Sequence, residues 1–188
     1  MLQKRKKIGG DSIVEENVWK KGIYIDNAGL ILLAPCVPPL FEKLGWIENG
    51  IFKNQDFQER AVHLLQYVVG LPDHNEEHFL PLNKILCGLE IQYPIQLDIE
   101  ISKEEKNEAD QFINAMIKHW SALKNTSKVG LQETYLKRNG KLLLKDDQSW
   151  NLVVENKTLD ILINKLPWGF SIIKHKWMNS IIKTEWFY

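Results

Sequence analysis

The sequence predicts a single α+β domain, in which a helix-rich N-terminal two thirds precedes a small antiparallel β-sheet. Apolar residues recur at helical spacing between residues 57 and 68 and again between 109 and 120, whereas they alternate in short runs after residue 140. The 188 residues are 44% hydrophobic, which is enough for one core. No repeat occurs at a fixed period, so we do not expect a solenoid or a propeller.

The predicted domain covers residues 23–188, and residues 1–22 are predicted to be a polar basic tail. The tail carries a basic run at residues 4–7, and the domain contains no Ser/Gly-rich linker that would divide it. Gly9 and its neighbours follow the basic run where a secretory signal would have its apolar segment. We therefore expect no Sec signal in this tail.

Three elements are predicted in the first part of the domain. Residues 23–26 alternate between apolar and polar side chains and predict a strand. Pro38 and Pro39 predict the start of a short helix, because proline is favoured in a first helical turn. Residues 57–68 carry apolar side chains at helical spacing, and Gly70 marks the end of this second helix.

The most clearly marked helix begins at Ser102, which forms a capping-box pattern with Glu105 three residues later. A following helix is predicted to start at about Ser127 and to end at Asn139 and Gly140, a pair suited to a left-handed turn. The apolar face of the capped helix consists of Ala109, Phe112, Ile113, Met116, Ile117 and Trp120.

The C-terminal part of the sequence predicts the sheet. Residues 141–145 and 150–155 are expected to form a hairpin, and so short a connection requires antiparallel pairing. A short helix is predicted within residues 159–166. Further strands are predicted at residues 170–174 and 181–186.

Composition restricts the classes of partner. Lys plus Arg and Asp plus Glu each number 24, so the formal net charge is zero and no global field attracts nucleic acid or an anionic membrane. The longest apolar run, residues 30–35, is far too short for a membrane span. We therefore predict protein partners, no nucleic acid and no direct membrane insertion. Cys36 and Cys87 lie far apart in apolar surroundings, which indicates reduced thiols that act as small hydrophobes.

One string matches a catalytic pattern. Residues 74–78 read HNEEH, the H-x-x-E-H order of inverted zinc peptidases. Such a site requires both histidines on a stable helix, but this string lies between two prolines without apolar periodicity, which favours a solvated acidic loop. A zinc hydrolase using His74, Glu77 and His78 is the less favoured alternative. No nucleophile elbow, P-loop or dinucleotide-binding string occurs, so we predict no catalytic residue, no metal and no cofactor.

Seven tryptophans are a large number for this length. Most of them are expected to build the core between the capped helix and the sheet. Some are expected on turns, where tryptophan often anchors an interface with another subunit. The predicted interface residues are Trp168, Trp177, Met178 and Trp186.

Six short strings follow one another along the chain: NAGLILLAP (27–35), RAVHLLQY (60–67), LPLNKILCG (80–88), HWSALKNTS (119–127), LPWGFSIIK (166–174) and KWMNS (176–180). In this order they resemble the C-terminal domain of the tape measure proteins of contractile injection systems, phage-tail-like particles that drive a tube through a membrane. The resemblance covers roughly residues 23–186. Its most family-like positions are Asn27, Gly29, Pro35, Asn83, Lys84, Cys87, Gly88, His119, Trp120, Lys124, Ser127, Leu131, Pro167, Trp168, Trp177 and Trp186.

The resemblance implies a non-enzymatic assembly component whose terminal domain engages the hub, the spike or the inner tube at the baseplate. It also implies assembly in the bacterial cytoplasm, later residence in the particle, and a homotrimer by analogy with a threefold spike. Drawn as one helix, the whole chain would span only about 280 Å, so the resemblance does not carry the length-measuring role over intact. A small adaptor that binds another partner or a toxin cargo is the alternative.

Overall fold

The computed structural model of the chain describes residues 19–73, 76–123 and 125–187. They form a helical layer that packs on one face of a five-stranded sheet, so the predicted α+β class is confirmed. The basic run predicted at residues 4–7 lies outside the described residues.

Five α-helices of the described residues make up most of the helical layer: α1 (Val37–Lys43), α2 (Gln55–Val69), α3 (Pro81–Leu86), α4 (Lys103–His119) and α5 (Lys128–Leu131). α1 has a proline in its first turn, as predicted. Shorter 3-10 helices lie at Ala28–Leu32, Ala34–Cys36, Glu77–Phe79, Ser121–Leu123 and Thr158–Lys165.

Two of the capping sites of the long helices, Gly70 and the Ser102 capping box, were predicted, whereas the cap at Asn54 was not. α2 begins after Asn54, whose Oδ1 accepts the Phe57 N–H at 3.0 Å, and it ends at Gly70 with φ of 88°. α4 begins at the predicted capping box. There, Ser102 Oγ accepts the Glu105 N–H at 3.2 Å, and the Glu105 carboxylate accepts the Ser102 N–H at 2.7 Å.

The helix predicted to follow is shorter than expected. α5 begins after Ser127, close to the predicted start, but it leads into a π-helical turn at Gln132–Leu136. Gly140 is the first residue of a strand, so the left-handed turn predicted at Asn139 and Gly140 is wrong. The reason is tertiary, because the Asn139 carbonyl accepts the Glu155 N–H at 2.9 Å and already belongs to the sheet.

Seven strands lie within the described residues: β1 (Ile23–Ile25), β2 (Ile47–Glu48), β3 (Ile51–Phe52), β4 (Gly140–Leu144), β5 (Trp150–Val154), β6 (Ile172–Ile173) and β7 (Ile182–Glu185). The five-stranded sheet has the order β1-β4-β5-β7-β6. The predicted β4–β5 hairpin is antiparallel, but β7 runs parallel to β5, so the sheet is mixed rather than wholly antiparallel. Parallel pairing is allowed here because a long crossover separates these two strands.

A second, two-stranded hairpin of β2 and β3 was not predicted. Asn49 and Gly50 form its turn, with φ values of 52° and 76°. Both residues therefore adopt the conformation of a two-residue hairpin turn, for which Asn-Gly is a preferred sequence. The dipeptide was a usable signal, but strands of two residues are too short to show alternation.

The core lies between the helical layer and the inner face of the sheet. Four of the seven tryptophans are at most 6% exposed, which confirms that most of them build the core. Fully buried residues come from both layers and include Leu30, Phe41, Leu64, Trp120, Leu152 and Ile182.

Candidate partner-binding surface

Two of the family-like asparagines lie in a buried hydrogen-bond network. Asn27 Nδ2 donates to Gln66 Oε1 and to Asn83 Oδ1, both at 2.9 Å, and Asn83 Nδ2 donates to the Val62 carbonyl at 3.0 Å. Asn27, Gln66 and Asn83 are all completely buried. A buried amide is costly unless it is hydrogen-bonded, so these contacts join the Ala28–Leu32 turn to α2 and α3 in one arrangement.

Two family-like glycines allow backbones to approach closely. A Cβ at Gly29 would lie 1.7 Å from the Tyr135 carbonyl oxygen. A Cβ at Gly88, where φ is 78°, would lie 2.3 Å from the Trp177 carbonyl oxygen. These positions therefore require glycine for the packing of distant segments.

Lys84 is a buried cation with a full set of acceptors. Its Nζ lies 2.7 Å from Glu77 Oε2, 3.0 Å from the Ile91 carbonyl and 2.8 Å from the Tyr93 carbonyl. Glu77 Oε1 also accepts the Ile95 N–H at 3.1 Å. This ion pair fastens the loop that follows α3. The sequence signal for it was a lysine inside the apolar string LPLNKILCG.

We expect this ion pair to make stability pH-dependent. Burial alone would raise the pKa of Glu77, but the hydrogen bonds from Lys84 and the Ile95 N–H outweigh it and lower the pKa below its ordinary value of 4.5. The contribution is therefore present above pH 4.5 and is lost as the pH falls through the lower folded pKa.

The change to test is Glu77→Gln. It should reduce the loss of unfolding free energy between pH 6 and pH 3 by at most about 1 kcal/mol, because Glu77 is partly exposed. Urea denaturation across this pH range measures the effect. The exposed neighbour Glu76→Gln is the control, and equal pH dependence of Glu77→Gln and the parent would contradict the prediction.

A second buried ion pair holds the end of the described chain. Arg138 Nη1 lies 2.9 Å from Asp160 Oδ2, and both side chains are at most 2% exposed. The Trp186 indole N–H donates to the same carboxylate oxygen at 2.9 Å, and Arg138 Nη1 donates to the Glu155 carbonyl at 3.0 Å. The ion pair therefore joins the turn after α5, the Thr158–Lys165 helix and the residue after β7.

Residues 166–180, here named the C-terminal strap, include β6 and contact the helical layer on both sides of this strand. The Trp168 indole N–H donates to the Leu32 carbonyl at 2.7 Å, and the Trp177 indole N–H donates to the Leu86 carbonyl at 2.8 Å. Each carbonyl belongs to the last residue of a helical segment, where intrahelical partners are missing. The strap thus supplies donors to two helix ends.

Two more side chains of the strap make the same kind of contact. His175 Nε2 lies 2.9 Å from the Ala34 carbonyl, and Asn179 Nδ2 donates to the Gly88 carbonyl at 3.1 Å. Burial lowers the pKa of His175, while the bond to Ala34 acts in the opposite direction. Because a carbonyl only accepts, Nε2 carries the proton in this contact.

The four predicted interface residues divide into two pairs. Trp168 and Trp177 are half-buried and keep part of their surface exposed. Met178 and Trp186 are 3% and 6% exposed, so burial in the core corrects their assignment as surface anchors. Met178 is held by its Sδ contact with the His175 N–H, and Trp186 by its bond to Asp160.

The other family-like positions are spread through the fold. Trp120 donates its indole N–H to the Leu162 carbonyl at 3.1 Å. Burial raises the pKa of the Cys87 thiol well above its usual value, as is usual for an unreactive thiol. Lys124 lies outside the described residues. Leu131 is buried, Pro35 is half-buried, and His119, Ser127 and Pro167 are exposed.

The structure brings no metal centre together from the part of the chain that it describes. No group of three or more His, Cys, Asp and Glu side chains there could hold a metal ion. His74 lies outside the described residues, Glu77 bonds to Lys84, and His78 is exposed beside Phe79. Glu77 of the H-x-x-E-H string therefore has a structural role, because its ion pair with Lys84 holds the loop after α3 in place.

Within the described ranges, no helix has the length and apolar character needed to cross a membrane. Most of the described family-like residues are buried or contact another segment, and two indole rings remain partly exposed on the strap. These two rings are candidate anchors for a contact with another protein.

The model of the contractile injection system tape measure protein family matches residues 3–186, nearly the whole chain, and the chain belongs to this family. The match extends further toward the N-terminus than the resemblance of the six strings, which began at residue 23. Neither a curated protein nor a solved structure matches the chain.

Proposed function

We propose that this chain is a terminal anchoring component of a contractile injection particle, which binds the hub, the spike or the inner tube at the baseplate. The observation that carries the proposal is that the described residues within the family match form a folded α+β domain. The longest helix of the described residues, α4, has 17 residues and a length of about 25 Å. Helices packed on a sheet do not form an extended rod, so the described residues suit an anchoring contact better than a ruler.

The strap offers the aromatic anchors for such a contact. Trp168 and Trp177 are each fixed by an indole hydrogen bond to a backbone carbonyl. The centre of the Trp177 ring also lies 5.3 Å from that of Phe52 and 6.0 Å from that of Phe41. A ring fixed before binding loses little conformational entropy on association. Partly exposed tryptophans are frequent anchors of protein interfaces. We therefore propose the strap as the contact surface, with assembly in the bacterial cytoplasm before residence in the particle.

Coexpression tests this contact directly. The tagged chain is expected to copurify with a hub, spike or inner-tube protein of its own particle, and Trp168→Ala or Trp177→Ala to weaken binding at least about tenfold. Val129→Ala is the control, because Val129 is 61% exposed but belongs to α5 rather than to the strap. Circular dichroism checks that each variant is folded. Failure of the parent chain to bind any of the three proteins would contradict the proposal.

Deletion of the gene tests the assembly role in the cell. Negative-stain microscopy is expected to show that particles are missing, as for a baseplate component, or that their tubes have scattered lengths, as for a component that also affects length. Particles of normal number and length would contradict an assembly role and favour an adaptor for another partner or a cargo.

A further inference from the structure

The five-stranded sheet has a second face that points away from the helical layer. The strand registers arrange its side chains in two rows across the sheet. Alternation along each strand places these residues opposite to the core side chains, although Asn151 is itself only 6% exposed. The first row is Tyr24, Lys141, Val153 and Glu185, and the second row is Leu143, Asn151, Lys183 and Ile172. We name these eight residues the outer face.

The outer face carries apolar side chains from edge to edge. Tyr24 on the edge strand β1 is 76% exposed, and Ile172 on the opposite edge strand β6 is 67% exposed. Leu143 and Val153, in the middle, are partly exposed. Exposed apolar residues at both edges and in the centre of one sheet face are typical of an interaction surface.

The charges of the outer face are arranged on either side of β5. Lys141 on β4 and Glu185 on β7 stand in the same row, one on each side of Val153. Lys141 Nζ lies 5.0 Å from the centre of the Tyr24 ring, and Glu185 Oε1 accepts the Asn151 amide at 2.9 Å. Neither charge has an ion-pair partner among the described residues.

We propose that the outer face binds the outer face of a second copy of this chain, about a twofold axis that runs parallel to β5. Rotation about this axis exchanges the positions of β4 and β7. Lys141 of each copy then faces Glu185 of the second copy, and the two Val153 side chains meet on the axis. The β1 edge with Tyr24 lies over the β6 edge, where Ile172 stands one row away, so apolar groups meet at both edges. In the second row Leu143 faces Lys183 of the second copy, so the complementarity lies in the first row.

This self-complementarity is the argument for a second copy rather than another partner. The twofold symmetry forms the pair of Lys141 with Glu185 twice in one contact, and both pairs lie next to the axis. Face-to-face sheets pack at about −30°, which displaces the far edges more than the rows beside the axis. The outer face shares only Ile172 with the strap, and the proposal is tested apart from the anchoring role because it concerns the purified chain alone.

The size of the outer face indicates a weak dimer. The five strands are two to five residues long and about 4.8 Å apart, so they cover roughly 300 Å² in each copy. A stable interface buries about 800 Å² in each partner. We therefore expect a dissociation constant in the micromolar range, so that the dimer is populated mainly where copies are concentrated.

Sedimentation velocity of the full chain between about 1 µM and 1 mM tests the proposal. The parent chain is expected to show a reversible monomer–dimer equilibrium. Lys141→Glu alone and Glu185→Lys alone should each weaken it at least about tenfold, because like charges then face each other twice. An equimolar mixture of the two variants should restore the dimer, since the mixed pair recovers both opposite-charge contacts. The double variant K141E/E185K should also restore it.

Lys165→Glu is the matched control, because Lys165 is exposed but lies outside the outer face, at the end of the Thr158–Lys165 helix. It should leave the dimer unchanged, and thermal denaturation checks that every variant is folded. A chain that stays monomeric at all concentrations would overturn the proposal, as expected if residues 1–18 or another protein cover this face. A trimer would also overturn it, and so would a mixture of K141E and E185K that stays monomeric.

Discussion

Replacing Gly29 by alanine is expected to destabilise the folded chain by more than about 4 kcal/mol, or to prevent folding altogether. The new Cβ would lie 1.7 Å from the Tyr135 carbonyl oxygen, which belongs to backbone in the π-helical turn and cannot rotate away. The Ala28–Leu32 turn would have to separate from this segment and disrupt the buried contacts around it. Soluble yield and urea denaturation, followed by tryptophan fluorescence, measure the effect.

Gly169→Ala is the matched control for this substitution. It adds the same methyl group at a position with no heavy atom within 4 Å of the added Cβ, and it should change the unfolding free energy by less than about 0.5 kcal/mol. If Gly29→Ala were within 1 kcal/mol of the parent, the close backbone approach would not be a required feature of the fold.

Replacing Asp160 by alanine is expected to cost about 3–5 kcal/mol of unfolding free energy. The substitution leaves the Arg138 guanidinium buried without its carboxylate, and it removes the acceptor of the Trp186 indole N–H. Chemical denaturation at pH 7 measures the loss. Asp146→Ala removes an exposed ion pair with Lys20 and should cost less than about 1 kcal/mol.

A double substitution separates the two parts of this effect. Arg138→Met with Asp160→Leu replaces both charges by apolar groups, so no unpaired charge remains buried, and it should recover part of the lost stability. The buried charge would not be the cause if Asp160→Ala alone cost less than about 1 kcal/mol. A double variant no more stable than Asp160→Ala would assign the loss to the Trp186 contact and to packing.

Sequence patterns were sufficient where one short segment contains the whole cause of a structure. The capping box of Ser102 and Glu105 fixes the start of α4 through two local hydrogen bonds, and Gly70 supplies the left-handed end of α2. The β4–β5 hairpin follows from two alternating runs and a short polar turn between them. These elements need no information from distant parts of the chain.

Sequence patterns were insufficient where a distant segment decides. Asn139 and Gly140 match a helix end locally, but pairing with Glu155 places them in the sheet. The parallel pairing of β7 with β5 likewise depends on how a long crossover packs, which no local pattern states. Propensity is a weak predictor wherever tertiary hydrogen bonds compete with it.

The candidate surface was predicted only in part, because tertiary contacts decide which tryptophans stay exposed. A tryptophan near a turn is compatible with exposure or burial, and only tertiary contacts distinguish Trp177 from the buried Trp186. The partners of the buried charges, Glu77 for Lys84 and Asp160 for Arg138, are not written in a motif. A charged residue within an apolar run signals that a partner exists, but not which residue it is.

The strap also determines when during protein synthesis this fold can be completed. The bonds from Trp168 to Leu32 and from His175 to Ala34 join residues 136 and 141 positions apart. Contacts at such separations form late, because closing a long loop costs entropy before the contacts compensate for it. Translation makes Leu32 and Ala34 early, yet their carbonyls receive these donors only after the strap has left the ribosome. We infer that the domain matures after translation of the strap, so that nascent chains do not present the surface proposed to bind the particle.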